Sequence, residues 1–229
     1  VSCPYFATQQ LVLEGHFHWK QSKDSFTLSE PLLTASYGFC EVYDIQKNEW
    51  KQIDSLRVAR SGVALSAFKN EFIFAFGGRV DQKNIVDTIE CYSISKNIWQ
   101  EIAAPQVDKT NWIQGYMSLA YQITDNEIMI FGGKSALTSQ IFNGCFVFDV
   151  QKMEMREKGK LVNPCSFMNT PLVFGGNLYA FGNDIYIHKY NIAEQNGVAF
   201  QRRSPELPYK HYSKMNHRPV RSHRWLLTL

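Results

Sequence analysis

Short apolar runs separated by short polar turns fill most of the chain, and one arrangement of them returns. Gly62-Val-Ala-Leu-Ser-Ala-Phe68, the polar turn Lys69-Asn-Glu71 and Phe72-Ile-Phe-Ala-Phe76 read as two strands of a hairpin that ends on the doublet Gly77-Gly78. After the polar loop Arg79 to Asp87, Thr88-Ile-Glu-Cys-Tyr-Ser-Ile94, the turn Ser95-Lys-Asn97 and Ile98-Trp-Gln-Glu-Ile102 read as a third and a fourth strand. Tyr92 and Trp99 lie seven residues apart on these last two. Four consecutive strands with short turns describe one blade of an all-β propeller.

The same order recurs at a spacing of roughly fifty residues. A second copy runs over Tyr116 to Thr124, Glu127 to Phe131, the doublet Gly132-Gly133, Gly144 to Val150 and Met153 to about Leu161, with Phe148 for the tyrosine and Met155 for the tryptophan. In a third, Ser166 to Phe174 and the turn Gly175-Gly-Asn177 precede Leu178-Tyr-Ala-Phe-Gly182-Asn183. Here Asn183 replaces the second glycine, and asparagine is the residue that best tolerates positive φ. Strands at Asp184 to Ile192 and Gly197 to Arg202 complete that copy, with Phe200 expected in the tryptophan slot. Upstream, Phe39-Cys-Glu-Val-Tyr43-Asp-Ile45, Gln46-Lys-Asn48 and Glu49-Trp50-Lys-Gln-Ile53 give half a copy, again with Tyr43 and Trp50 seven apart. Residues 1–35 are expected to add two strands, within Leu11 to Trp19 and Ser25 to Ala35, and 209–229 to be a poorly ordered basic tail beyond the blades of 36–208.

Each repeated residue has a mechanical reason. The glycine doublet turns the chain through dihedrals closed to residues with a Cβ and admits a neighbouring backbone. The aromatic pair fills the space between adjacent blades. The order apolar strand, Gly77-Gly78, Tyr92 and Trp99 resembles the kelch repeat, specifically over Arg60 to Ile102 and with fewer of its marks in the other copies. The resemblance implies a β-propeller, and kelch domains close with five to seven blades. At about fifty residues per blade the 229 residues supply three blades and part of a fourth. An incomplete propeller is therefore expected, either part of a longer chain or an open arc.

Composition alters this picture little. With 45% apolar residues the chain can bury a large core, and no run approaches eighteen consecutive apolar residues. Val1-Ser-Cys-Pro-Tyr5 lacks the pattern of a secretory signal. Cys3, Cys40, Cys91, Cys145 and Cys165 are odd in number and contain no C-x-x-C pair, which argues for reduced structural thiols and a cytoplasmic setting. Net charge is +3, but residues 202–229 carry +6 and the rest −3, so charge argues for nucleic acid only through the tail. His211, His217 and His223 recur every six residues, a spacing foreign to metal sites. His188 is expected to face solvent on its strand. No H-E-x-x-H, G-x-S-x-G or G-x-x-x-x-G-K occurs, and no cofactor or metal is expected.

Alternating connections place the long loops Asp54 to Ser61, Arg79 to Asp87, Ala103 to Gly115 and Lys134 to Asn143 on one face, where binding chemistry concentrates. By the kelch resemblance, Arg60 corresponds to arginines that grip acidic peptides in adaptor proteins; the other reading makes it a solvated residue or a ligand of local backbone. The matching positions near Ile113 and Cys165 are not arginine, so no arginine ring is expected. Asn111 and Trp112 form a polar and aromatic pair, and Arg79 and Lys134 each follow a glycine doublet. The expectation is a noncatalytic module binding a protein partner, cytoskeletal or linked to ubiquitin ligation by family resemblance. The alternative is a carbohydrate-active enzyme of the sialate mutarotase kind.

Overall fold

The computed structural model describes residues 9–15, 38–44, 47–81, 84–102, 115–135, 138–161, 163–167, 171–182, 186–194, 198–202 and 223–228. Among the described residues there is no helix, and four antiparallel four-stranded sheets follow one another. Sheet I has the order β18-β1-β2-β3, from β18 (His223–Thr228), β1 (Gln9–Gly15), β2 (Cys40–Asp44) and β3 (Glu49–Ile53). Sheet II is β4 (Ala64–Phe68), β5 (Phe72–Phe76), β6 (Ile89–Ser93) and β7 (Ile98–Ile102). Sheet III is β9 (Leu119–Gln122), β10 (Glu127–Phe131), β12 (Gly144–Asp149) and β13 (Glu154–Lys160). Sheet IV is β14 (Leu172–Phe174), β15 (Asn177–Phe181), β16 (Tyr186–Asn191) and β17 (Val198–Arg202). A two-stranded ribbon joins β8 (Gly115–Tyr116) to β11 (Lys134–Ser135).

The local chemistry of the turns explains the hairpins. Between β4 and β5, Lys69 and Asn70 both take left-handed φ, 52° and 54°, and Glu71 N donates to Phe68 O at 3.2 Å, which closes a tight turn within the three-residue connection. Gly175 and Gly176 likewise take left-handed φ between β14 and β15, at 57° and 73°. Tyr43 pairs with Trp50, Tyr92 with Trp99 and Phe148 with Met155, so the seven-residue spacing is the register of one strand pair in three sheets. Sheet IV departs from it. Tyr190 pairs with Val198, and Phe200 stands opposite His188, so Val198 rather than Phe200 holds the tryptophan position. The paired residues Tyr190 and Val198 stand eight apart rather than seven, which moves the register.

Three apolar cores lie between successive sheets. Ile73, Ala75, Tyr92 and Trp99 of sheet II meet Cys40, Val42, Ile53 and Leu56 beside sheet I. Phe74, Phe76 and Ile89, on the other face of sheet II, meet Ile128, Ile130, Phe146 and Phe148 of sheet III. Met129, Phe131 and Val147 in turn meet Leu178, Ala180 and Tyr190 of sheet IV. Because each inner sheet is buried on both faces, Phe72-Ile-Phe-Ala-Phe76 and Glu127-Ile-Met-Ile-Phe131 read as continuous apolar runs rather than alternating ones. Odd and even positions serve different neighbours. Among the described residues no apolar core joins sheet IV to sheet I, and the sheets form an open succession of kelch-type blades.

Residues 1–35, expected to add two strands, contribute β1 among the described residues, and 209–229, expected to be a poorly ordered tail, contributes β18. β1 and β18 pair from Gln10↔Thr228 to Gly15↔His223. A pairing across more than two hundred residues leaves no local mark in a sequence, whereas a hairpin leaves its turn. His188, expected to face solvent, is 2% exposed and sits edge-on to Phe167 at 5.4 Å between ring centroids. Its strand turns that face toward sheet III.

Candidate functional site

The glycine doublets set the geometry of the loop face. Gly77 and Gly78 have φ of 59° and 95°, and Gly78 N donates to Gly115 O of the next sheet's leading segment at 3.1 Å. Gly132 and Gly133, at 64° and 108°, repeat this, with Gly133 N donating to Cys165 O at 2.8 Å. A Cβ on Gly77 would stand 2.5 Å from Gly115 O, and one on Gly132 would collide with Cys165 O. Side-chain-free backbone is thus required twice over, by dihedral and by proximity. Gly182 has no following sheet to receive among the described residues; a Cβ there would meet Cys165 and Ser166 of its own blade.

A second set of bonds links the inner strands. Met117 N donates to Gly62 O and Phe167 N to Met117 O, each at 2.7 Å, which aligns Gly62, Met117 and Phe167 as equivalent positions. The counterparts of Arg60 are therefore Gly115 and Cys165, shifted two residues from the expected Ile113 in the first case. Arg60 itself does not reach the surface. Its side chain is 0% exposed, and it donates from Nη1 to Gly77 O at 3.1 Å and Thr88 O at 3.0 Å, and from Nη2 to Glu90 Oε1. Glu90, also 0% exposed, further accepts from Arg57 N at 2.7 Å and Val58 N at 3.1 Å. Burial lowers the Arg60 pKa from its usual value, opposed by the Glu90 carboxylate. The expected partner-gripping arginine is a ligand of local backbone that ties sheet II to the linker from sheet I.

The other loop residues converge differently. Arg79 bridges Ser61 through Ser61 N to Arg79 O at 2.9 Å and Arg79 N to Ser61 O at 3.0 Å. From there its guanidinium carbon lies 4.4 Å from the centroid of the Tyr116 ring, a cation–π distance. Lys134 pairs with that same Tyr116 in the β8–β11 ribbon. Asp81 and Asn84 stiffen the loop after Arg79, with Asn84 N donating to Asp81 Oδ1 and Asn84 Nδ2 to Asp81 Oδ2, both at 2.7 Å. Val86 N caps it on Gly78 O at 2.9 Å, as Phe142 N caps the loop after Lys134 on Gly133 O at 2.8 Å. Arg79 thus stacks on Tyr116, and Lys134, from the equivalent loop, is the strand partner of the same residue. Sequence reasoning found both cations and missed Tyr116, which is 6% exposed and stood only at the start of a strand. Asn111 and Trp112 lie outside the described residues.

Burial makes Cys40, Cys91 and Cys145 poor nucleophiles. Burial pushes Cys40 and Cys145 up to about 12 and Cys91 to about 11, from an ordinary value of 9.0. A thiol with a raised folded value keeps its proton longer in the folded chain than in the unfolded one. Its stabilising contribution is whole below about pH 9 and is lost as pH climbs toward 12. The urea midpoint should fall between about pH 8 and pH 10 less in a Cys40→Val, Cys145→Val variant than in the parent chain. An identical fall in both would refute the assignment.

Residues 59–106 match the family model for the kelch motif. Over 100 residues the chain is 25% identical to Kelch-like protein 38 of Homo sapiens, covering 44% of this chain and 16% of that protein. It is 26% identical over 102 residues to alpha-scruin of Limulus polyphemus, covering 43% of this chain and 10% of that protein. The matches thus span a small part of either relative's length.

Proposed function

We propose that this chain, a partial and divergent kelch-repeat protein, is a noncatalytic interaction module that binds an acidic segment of a protein partner on its loop face. The observation that carries the reading is the Arg79 guanidinium over the Tyr116 ring, with Lys134 of the equivalent loop paired to the same residue across the β8–β11 ribbon. A guanidinium over an aromatic ring, with a lysine on the strand paired to that residue, suits carboxylate-rich peptide, and the doublets hold both loops on rigid strand ends. The kelch match supports the protein-binding reading, with cytoskeletal and ubiquitin-ligase partners as the family's precedents. Cys40, Cys91 and Cys145 are thiols rather than disulfides, which supports a cytoplasmic setting.

The test compares proteins captured by the parent chain with those captured by an Arg79→Glu, Lys134→Glu variant, quantified by mass spectrometry. A partner that binds through the loop face should fall at least about tenfold in the variant, since charge reversal adds repulsion to the lost attraction. Lys47→Glu combined with Lys152→Glu, two exposed turn positions away from the loop face, serves as the charge-matched control. Equal capture by parent and variant, or turnover of a sugar by the purified chain, would refute the reading.

A further inference from the structure

The bonds that take Arg60 out of solvent are aimed at a single loop. Arg60 Nη1 donates at once to Gly77 O at 3.1 Å and to Thr88 O at 3.0 Å, the residues just after β5 and just before β6, between which the Arg79 loop runs. Its Nη2 adds Thr88 Oγ1 at 3.4 Å and Glu90 Oε1, both on the exit side. One guanidinium therefore joins the two ends of the loop, a task that suits its planar fork of fixed donors. The stem of the side chain bears on the same place: a Cβ on Gly78 would stand 3.3 Å from Arg60 Cβ and 3.4 Å from Arg60 Cδ. Arg79 comes next, bonded to the neighbour of Arg60 by Ser61 N to Arg79 O at 2.9 Å and Arg79 N to Ser61 O at 3.0 Å.

The equivalent loop of sheet III is closed by other means. Gly115 stands in the place of Arg60, and the loop's neck is joined by Gly132 N donating to Gly144 O at 3.0 Å and Ser118 Oγ donating to Gly132 O at 3.1 Å. Both bonds are neutral, so a blade can close this loop without an arginine. The loop that has the arginine is the one whose first residue, Arg79, reaches across to the next sheet and lies 4.4 Å from the Tyr116 ring centroid.

We propose that Arg60 is a positioning residue of the loop face: held by Glu90, it clamps the neck of the Arg79 loop and so sets the Arg79 guanidinium over the Tyr116 ring before a partner arrives. Ordering a long side chain's backbone in advance removes part of the cost that binding would otherwise meet. The consequence for binding rests on the acidic-segment reading above, whereas the Arg79 geometry is measurable without a partner.

Arg60→Met combined with Glu90→Leu removes the clamp without leaving a lone buried charge. Nuclear magnetic resonance of the full chain reads Arg79 through its side-chain protons, which the Tyr116 ring shifts upfield; Arg79→Lys identifies the signal and Tyr116→Leu abolishes the shift. In the double variant, at a urea midpoint near the parent's, the Arg79 signal should return toward the position of an exposed arginine. A fluorescein-labelled decaglutamate peptide, followed by anisotropy, should bind that variant about tenfold more weakly than the parent. Should the double variant fail to fold, Arg60→Lys is read in the same way, since an ammonium keeps the charge opposite Glu90 yet lacks the fork that spans Gly77 O and Thr88 O. An Arg79 signal that keeps the parent's shift in a folded variant overturns the proposal, and so does a peptide that binds parent and variant equally. A parent chain that does not bind the peptide, with the Arg79 shift lost in the variant, upholds the clamp and counts against the acidic-segment reading alone.

Discussion

Replacing Glu90 with alanine should destabilise the fold by ~3–5 kcal/mol, the loss typical when one member of a buried ion pair is removed. The Arg60 guanidinium would remain charged at 0% exposure with the carbonyls of Val58, Gly77 and Thr88 and the Thr88 hydroxyl as its partners, and without the carboxylate it now bonds. Arg57 N and Val58 N would lose their acceptor at the same time, and orphaned buried donors carry their own penalty. The pair is not required by the architecture. Sheet III places Gly115 and Phe146 at the equivalent positions, and sheet IV places Cys165 and His188, all within the same kind of core. Arg60→Met combined with Glu90→Leu should therefore recover most of the loss, because no lone charge is left. Urea denaturation of the two single variants and the double closes the cycle. A Glu90→Ala midpoint within about 1 kcal/mol of the parent would show that water or another group satisfies Arg60.

Trp99→Ala should cost ~3–5 kcal/mol, and Trp50→Ala distinctly less. Both residues pair with a tyrosine in the same register and belong to the same repeated motif. They differ in what stands across from them. Trp99 is 0% exposed in the first core, its ring 5.2 Å from that of Tyr92, and its backbone N–H donates to Asp54 Oδ2 at 2.8 Å. Its removal opens a cavity that Cys40, Ile53 and Leu56 can fill only in part. Trp50 is 38% exposed, so truncation opens no closed cavity. Equal losses for the two would mean that sheet I is covered in the isolated chain.

The blades were legible wherever their signals are local. Phe72-Ile-Phe-Ala-Phe76, Lys69-Asn70 and Gly77-Gly78 each specify a strand, a turn or a backbone dihedral within a few residues, and the structure has strands and turns at those positions. Met155 could be placed opposite Phe148 from spacing alone, because a four-residue turn sets that register. Phe200 could not be placed, since one additional residue before β17 slid the pairing to Val198. The candidate site was half legible. Arg79 and Lys134 are marked by the doublets, but Tyr116 joins them only through the β8–β11 pairing, and Arg60 leaves the surface only because Glu90 lies beneath it.

By itself the sequence determined the unit: a four-stranded blade, its turns, its aromatic pair and the glycines that let the next blade approach, all of them interactions between near neighbours along the chain. Tertiary structure alone decided which copies of that unit meet. It brought β18 to β1 across the length of the chain, buried Trp99 while leaving Trp50 partly open, and turned a promising surface arginine into an internal ion pair. The physical reason is that burial belongs to the contact between two blades, and a repeat specifies a blade without specifying its neighbour.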